Sequence, residues 1–140
     1  PTGGVREPFV DTDDIADVAV AALTEGGHEG KLYEITGPRL MTFAEVAAEI
    51  AQASGRDVQF VEITREEFLA GLEAAELPPV MLKLIDYLFT EVFDGRNEFV
   101  ADGIQQALGR PPRDFSEYVN SPAAQAAWIY LAEGMALHPP

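Results

Sequence analysis

The stretch PFVDTDDIADVAVAAL, residues 8–23, decides how the first part of this sequence is interpreted. Phe9-Val10 is a short apolar pair typical of a strand, and a segment with apolar residues at helical spacing follows it. An aspartate at the N-cap accepts hydrogen bonds from free backbone N–H groups, and carboxylates in the first turn favour the positive end of the helix dipole. We therefore interpret the acidic cluster as helix capping rather than as a catalytic site. The cluster has four members: Asp11, Asp13, Asp14 and Asp17.

Composition limits the class of protein. The chain has 140 residues, which suits about one domain, and 47% of them are hydrophobic, as in a globular protein. The 24 acidic and 9 basic residues give a net charge of −15, which disfavours nucleic acid and anionic membrane surfaces as partners. The absence of cysteine excludes disulfides and thiolate chemistry and fits a cytoplasmic protein, which is our expectation. No apolar run approaches the ~20 residues that a membrane-spanning helix needs.

The rest of the sequence alternates predicted strands and helices before becoming helical. Strands are predicted at residues 32–35 and 58–63, where β-forming or alternating apolar residues occur. Helices are predicted after three capping boxes. The order is β-α-β-α-β-α-α-α-α, which is an α/β fold with its helices gathered toward the C-terminal end. The boxes pair Thr42 with Glu45, Thr64 with Glu67 and Asp114 with Glu117.

Two apolar segments near the C-terminal end raise the question of what covers them. The helix predicted after Pro78-Pro79 is apolar on two faces, which favours burial between layers; the alternative is a pocket wall with Tyr87 near its rim. In the tail, Trp128, Ile129 and Leu131 need cover from this domain or from a second chain.

The residues alone specify no reaction. The glycine-rich segment 26–30 follows a helix and precedes a strand, which is the wrong order for a dinucleotide phosphate cradle. His28 and His138 lie far apart in the sequence, without further ligands at metal-binding spacing, so we expect no metal. No serine has a nucleophile-elbow context, and no tyrosine is followed four residues later by lysine.

Three segments in order resemble the C-terminal half of NmrA-like proteins. These are atypical relatives of the short-chain dehydrogenases/reductases and include NAD(P)H:quinone oxidoreductase-like and azoreductase-like members. The resemblance spans residues 8 to about 119, and each motif is weak alone but more specific in this order. The segments are PFVDTDDIADVAVAAL, GKLYEITGPRLMTFAEVAAEIAQASGRDVQFVEI and GRPPRDFSEYV.

The resemblance implies a partial Rossmann-type α/β fold, with sheet-edge strands and a C-terminal helical substrate lobe. Residues 1–120 would form this C-terminal half and residues 121–140 a helical tail, while the N-terminal cofactor half is absent. The intact family protein uses NAD(P), but its glycine-rich fingerprint has no counterpart here, so no cofactor-binding residue is carried over and none is expected for this chain alone. The resemblance places substrate near five residues: Phe9, Asp11, Tyr87, Phe89 and Phe93.

We therefore expect the substrate-lobe portion of an NmrA-like NAD(P)-dependent oxidoreductase, inactive alone. The alternatives are a stand-alone ligand-binding or regulatory module, for which non-catalytic dinucleotide sensors in the family are a parallel, and a cofactor-free isomerase or cyclase that uses Tyr or Asp residues in the pocket as acid or base. A strand at Phe9-Val10 would leave a sheet edge open. The expected partners are a second copy of the chain or a complementary N-terminal lobe, together with an apolar small-molecule ligand.

Overall fold

The computed structural model describes Thr2 and residues 4–132, with side chains as far as Ala127. These residues are mostly helical. Two short strands, β1 (Arg6–Glu7) and β2 (Met41–Thr42), pair antiparallel with Arg6 opposite Thr42. A π-helical turn, Leu88–Val92, continues the fourth helix. The α-helices are α1 (Thr12–Thr24), α2 (Phe43–Ser54), α3 (Arg65–Ala74), α4 (Pro79–Tyr87), α5 (Gly103–Leu108), α6 (Phe115–Val119) and α7 (Pro122–Ala132).

The helix boundaries follow the local signals in the sequence. Asp11 is the N-cap of α1, where its Oδ1 accepts a hydrogen bond from the Asp13 backbone N–H at 2.8 Å. The three predicted capping boxes are confirmed at the starts of α2, α3 and α6. Gly55 and Gly109 end α2 and α5 in the left-handed conformation, with φ of 66° and 67°, which a residue with a Cβ rarely adopts.

The predicted strands at Phe9-Val10, 32–35 and 58–63 are wrong for this structure, because none of these segments forms a strand in it. A strand persists only when a neighbouring strand takes up its backbone hydrogen bonds. Among the described residues, segment 32–35 has an isolated bond instead of a ladder, from Gly103 N to Glu34 O at 3.1 Å. The sequence pattern was that of strands, but the sheet that the described residues form, β1 with β2, does not include these segments.

The predicted burial of the helix after Pro78-Pro79 is also wrong. No residue of α4 is buried, and Tyr87 is 56% exposed. Met81 and Leu84, on one of the two apolar faces, are exposed as well. The other apolar face is half-buried and continues through the π-helical turn to Phe93; its residues are Leu82, Ile85, Phe89 and Phe93. The predictions for Trp128, Ile129 and Leu131 concern side chains outside the described ones, and His138 lies outside the described residues.

The hydrophobic core lies where α1 meets α5 and where α2 meets α6 and α7. Ile104 of α5 and Val18 of α1 are buried at the first contact, and Val119 of α6 and Ala124 of α7 at the second. Between these contacts, the segment 110–114 crosses the N-terminal end of α1. Within Thr2 and residues 4–132, no helix has both the length and the apolar character needed to cross a membrane.

Candidate functional site

The acidic cluster of α1 divides into a cap, an exposed residue and an ion-pair centre. Asp11 serves as the cap and Asp13 is exposed. Asp14 is fully buried, at 0% exposure, which neither the capping nor the catalytic interpretation anticipated. A carboxylate without contact to water requires hydrogen bonds from charged or backbone donors.

Two arginines of the segment GRPPRD supply those donors. Arg113 donates its backbone N–H to Asp14 Oδ2 at 2.7 Å and a short guanidinium hydrogen bond to Oδ1. Arg110 Nη2 lies 2.7 Å from the same Oδ1. Asp17, one turn later, receives Arg110 Nη2 at 2.6 Å and Arg113 Nη2 at 3.0 Å. We call these four residues the ion-pair centre; both oxygens of Asp14 are occupied, so Asp14 is a structural residue.

The charges of the ion-pair centre stabilise one another. Hydrogen bonds from Arg113 first, and then from Arg110, lower the pKa of Asp17. The pKa of Arg110 is raised chiefly by its hydrogen bond to Asp14, and that of Arg113 by its hydrogen bond to Asp17. The centre therefore fixes segment 110–114 across the start of α1.

Arg39 makes a second ionic link, which the sequence analysis missed. Its Nε and Nη2 donate to the two carboxylate oxygens of Asp114 at 2.6 and 2.9 Å, and Nη2 also reaches Glu49 Oε1 at 2.7 Å. The hydrogen bonds from Arg39 hold the pKa of Asp114 well below its ordinary range. Because Asp114 caps α6 and Glu49 lies on α2, this link fixes the two helices together.

The structure also contains a cavity of about 500 Å³. Its volume is in the range of small-molecule sites, and its wall is mainly apolar. We call it the aromatic cavity. Four phenylalanines line it together with Val10 and Ile35, and they are Phe9, Phe43, Phe93 and Phe99.

Three of the four rings of the cavity, those of Phe9, Phe43 and Phe93, belong to a continuous row of ring contacts. Phe43 lies at the centre, with ring centroids 5.3 Å from Phe9 and 5.5 Å from Phe93. Phe89 continues the row at 5.2 Å from Phe93, and Phe68 follows at 4.8 Å from Phe89. These distances are typical of favourable aromatic pairs, so the row is a stable apolar wall.

Close backbone packing holds that wall in place. A Cβ at Gly37 would lie 1.8 Å from Phe9 O, and a Cβ at Gly103 would lie 2.2 Å from Glu34 O, so only glycine fits at either position. Gly103 N donates to Glu34 O at 3.1 Å, and Thr36 Oγ1 accepts from Ala101 N at 3.0 Å. Segment 34–37 is thereby held between Phe9 and the start of α5.

The polar wall of the cavity contains Glu7, Glu34, Thr36 and Asn97. Glu7 is half-buried, and its Oε1 is buried and accepts no hydrogen bond from the described residues. Burial is the main cause that raises the pKa of Glu7, and the nearby carboxylates of Glu98 and Asp94 raise it further. This acid therefore differs from Asp14 in having no compensating partner.

The structure brings some of the five predicted substrate residues together and separates others. Phe9 and Phe93 both line the aromatic cavity, while Phe89 lies behind Phe93 and lines a different cavity with Phe68. Asp11 borders a smaller cavity of about 150 Å³ that shares Phe9 with the first. Tyr87 lines neither of these cavities and is exposed. None of these placements tests substrate binding, which stays a prediction.

Most of the wall was missed by the sequence analysis, including Glu7, Glu34, Phe43, Asn97 and Phe99. Phe43 carried a signal, since it is the first residue of the helix that follows the Thr42 capping box. Glu7 and Phe99 carried none, because β1 is only two residues long and Phe99 lies in an irregular segment.

The glycine-rich segment 26–30 does not lie at the start of a helix, which is where a dinucleotide phosphate cradle is built. The glycine-rich loop follows the C-terminal end of α1, where the helix dipole is negative and repels phosphate. In that loop the His28 ring is joined to Tyr33 by a 2.7 Å hydrogen bond between Nδ1 and the hydroxyl oxygen. In the part of the chain that the structure describes, no group of three His, Cys, Asp or Glu side chains is placed to hold a metal ion.

Comparison with known proteins gives relatives but no matching family model. The chain is 36% identical to the NAD(P)H azoreductase of Xenophilus azovorans over 124 residues, which are 89% of this chain and 43% of that protein. The triphenylmethane reductase of Citrobacter sp. superposes with a TM-score of 0.74 at 25% identity, over 89% of this chain and 42% of that one. The NADPH-dependent quinone oxidoreductase of Escherichia coli superposes with a TM-score of 0.71 at 26% identity, over 84% of this chain and 43% of that one.

A second structure of the Escherichia coli enzyme contains NADPH and superposes with a TM-score of 0.72. The chain spans about two fifths of the length of the curated relatives that it matches. The architecture described above is therefore part of a larger known fold.

Proposed function

We propose that this chain, which belongs to the NmrA-like, atypical short-chain dehydrogenase/reductase proteins, forms the substrate-binding part of an NAD(P)H-dependent oxidoreductase. The chain spans about 40% of the length of these proteins. The observation that carries the proposal is the aromatic cavity, whose size and apolar wall suit an aromatic substrate. NAD(P)H would supply the hydride in such an enzyme. No cofactor-binding residue is assigned in this chain, so the roles proposed for its residues concern substrate alone.

The cavity residues have separate tasks in this proposal. Phe9 and Phe93 contact the substrate from opposite sides of Phe43, since each packs against that ring. Phe89 supports Phe93 from behind, and Asp11 holds the start of α1 beside Phe9. Tyr87 is exposed and would contact substrate only where the substrate extends beyond the cavity.

The proposal also gives a role to the two segments that have a strand pattern but form no strand in this structure. Segments 32–35 and 58–63 would be edge strands of a Rossmann-type sheet that a complementary lobe completes. Leu32, 91% exposed, and Val61, 69% exposed, are large apolar residues on these segments, which supports such a partner. Residues 1–120 would then be the lobe itself, and residues 121–140 its helical tail.

The test is a titration of the 140-residue chain with menadione, a neutral aromatic quinone, followed by NMR with labelled phenylalanine. We expect shifts confined to the rings that line the cavity. Phe93→Ala should weaken binding by roughly tenfold or more, because it removes a ring from the wall. The matched control is Phe68→Ala, which removes a ring of the same row outside the cavity and should leave the affinity unchanged.

No ring shifts at millimolar menadione, or equal losses in both variants, would overturn the proposal. A parallel titration with NADPH should give no binding to this chain alone up to millimolar concentration. Micromolar NADPH binding would contradict our expectation that this chain alone binds no cofactor.

A further inference from the structure

The aromatic cavity has a carboxylate in its wall that lacks a positive partner. Glu7 extends from β1, where it lies opposite Met41 in the strand pair. Its side chain lines the cavity, and its Oε1 is buried without a hydrogen-bond donor among the described residues. Burying an unpaired carboxylate is costly, so in most proteins such a group is either exposed or paired.

The cations near Glu7 are already engaged. Arg6 donates its backbone N–H to Glu98 Oε1 at 3.1 Å and its Nη2 to Oε2 at 3.2 Å. Arg96 donates Nε and Nη2 to the two oxygens of Asp94 at 2.9 and 2.7 Å. Each arginine neutralises a neighbour of Glu7 rather than Glu7 itself.

The wider surroundings of Glu7 are acidic. Glu34 lies on the cavity wall, and Glu45 lies in the first turn of α2, where Arg39 and Arg6 act on its charge. The charged groups of this region around Glu7 are Arg6, Glu34, Arg39, Glu45, Asp94, Arg96 and Glu98. Together with Glu7, five carboxylates against three arginines leave this end of the molecule with an excess of negative charge.

We propose that the aromatic cavity selects organic cations, with the positive group of the ligand held between the Glu7 carboxylate and the rings of Phe9 and Phe93. This inference rests on the proposed function and names the substrate class of the same site. Aromatic rings attract cations through the negative charge of their faces, and the attraction strengthens when water is displaced. A cation would thus satisfy the carboxylate and the rings together.

Other classes of ligand fit the cavity less well. An anion would meet the carboxylates of Glu7 and Glu34, in a chain whose net charge is −15. A neutral apolar ligand would displace water from Glu7 and give it no donor in return. A ligand cation removes this cost, and the raised pKa of Glu7 means that a proton competes with the cation for the same carboxylate.

The test compares two probes of one shape: benzyltrimethylammonium, which is permanently charged, and neopentylbenzene, its uncharged carbon isostere. Binding to the 140-residue chain is followed by ring shifts in NMR. We expect the cation to bind roughly tenfold tighter than the isostere. Glu7→Gln should remove this preference while leaving affinity for the isostere within about twofold. Glu66→Gln, the same substitution on an exposed position of α3, should change neither.

The pH dependence gives a second readout. Affinity for benzyltrimethylammonium should fall as the pH is lowered through the raised pKa of Glu7, because protonation removes the negative charge. Affinity for neopentylbenzene should not fall in that range, and Glu7→Gln should show no pH dependence for either probe.

Equal affinity for the two probes would overturn the inference, as would a preference that survives in Glu7→Gln. Either result would leave the proposed function intact if menadione still binds in a Phe93-dependent way. If menadione and both probes fail to shift the cavity rings, the proposed function fails as well.

Discussion

The ion-pair centre and the aromatic cavity both contain buried carboxylate oxygens, but the two regions differ in whether those oxygens accept hydrogen bonds. Asp14 is fully buried, and each of its oxygens accepts hydrogen bonds from Arg110 or Arg113. Glu7 is only half-buried, yet its Oε1 has no donor among the described residues. The acidic run that draws attention in the sequence thus supports the fold, whereas the inconspicuous Glu7 is the acid that we propose binds a ligand cation. Glu49 also has a buried oxygen without a donor among the described residues, but Arg39 holds its other oxygen. The comparison is therefore between a carboxylate that arginines hold and one that no described arginine holds.

The largest effect is expected from breaking the ion-pair centre. Asp14→Asn should lower the free energy of unfolding by about 3–5 kcal/mol, because it removes the negative charge that holds two arginines at a buried position. Urea unfolding followed by circular dichroism measures this. The control Asp13→Asn, one residue earlier and exposed, should cost at most about 1 kcal/mol. Equal losses in the two variants would show that Asp14 acts only through the helix dipole.

The next effect concerns the cavity wall. Gly37→Ala would place a Cβ 1.8 Å from Phe9 O, so the backbone of Phe9 must move. We expect a loss of about 1–3 kcal/mol in unfolding free energy, the usual cost of overpacking, together with weaker menadione binding. Gly26→Ala is the control, because its Cβ would meet no atom within 4 Å, and it should change stability by under about 0.5 kcal/mol. Unchanged menadione affinity in Gly37→Ala would show that Phe9 does not contact the ligand.

A smaller effect, with a defined pH dependence, is expected at Arg39. Arg39→Gln should cost about 1 kcal/mol at pH 7, because the arginine is partly exposed and solvent screens its two ion pairs. The pKa of Asp114 is lowered in the folded chain, so the ionised Asp114 contributes to the free energy of unfolding. This contribution is present above the ordinary Asp pKa of about 3.9 and is lost as the pH falls toward the lower pKa of the folded chain. The difference between parent and variant should therefore shrink below about pH 4. A difference that stays constant down to pH 2 would contradict this linkage.

Local signals made the helices predictable. Capping residues and left-handed glycines act within a few residues of the chain, so Asp11, Thr42, Thr64 and Gly55 could be assigned from sequence alone. Strands were not predictable in the same way, because a β pattern becomes a strand only beside a partner. Segment 58–63 has the pattern but belongs to no sheet among the described residues.

The candidate site was only partly predictable. Family resemblance led to Phe9 and Phe93, which the structure places in one cavity. The partners of Asp14 lie about a hundred positions further along the chain, and spacing gave no indication that Arg110 and Arg113 would reach it. The unpaired state of Glu7 is a property of the folded chain, set by where Arg6 and Arg96 find other partners, and no local pattern encodes it.

The smallest expected effect is a gain in stability on Glu7→Gln, whereas the variants above lose stability. It provides the most direct test of the comparison between Asp14 and Glu7. The pKa of Glu7 is raised on folding, so the folded chain binds this proton more tightly than the unfolded chain does. The resulting contribution of Glu7 to the free energy of unfolding is present below the ordinary Glu pKa and is lost as the pH rises through the pKa of the folded chain. The measurement is urea unfolding of Glu7→Gln and Asp14→Asn, side by side with the parent chain at pH 7 and pH 4. At pH 7 we expect Glu7→Gln to be more stable than the parent by under about 1 kcal/mol, with the gain shrinking at pH 4, and Asp14→Asn to be much less stable. A loss of stability in both variants at pH 7 would contradict the distinction between a carboxylate that holds the fold and one that is left for a ligand.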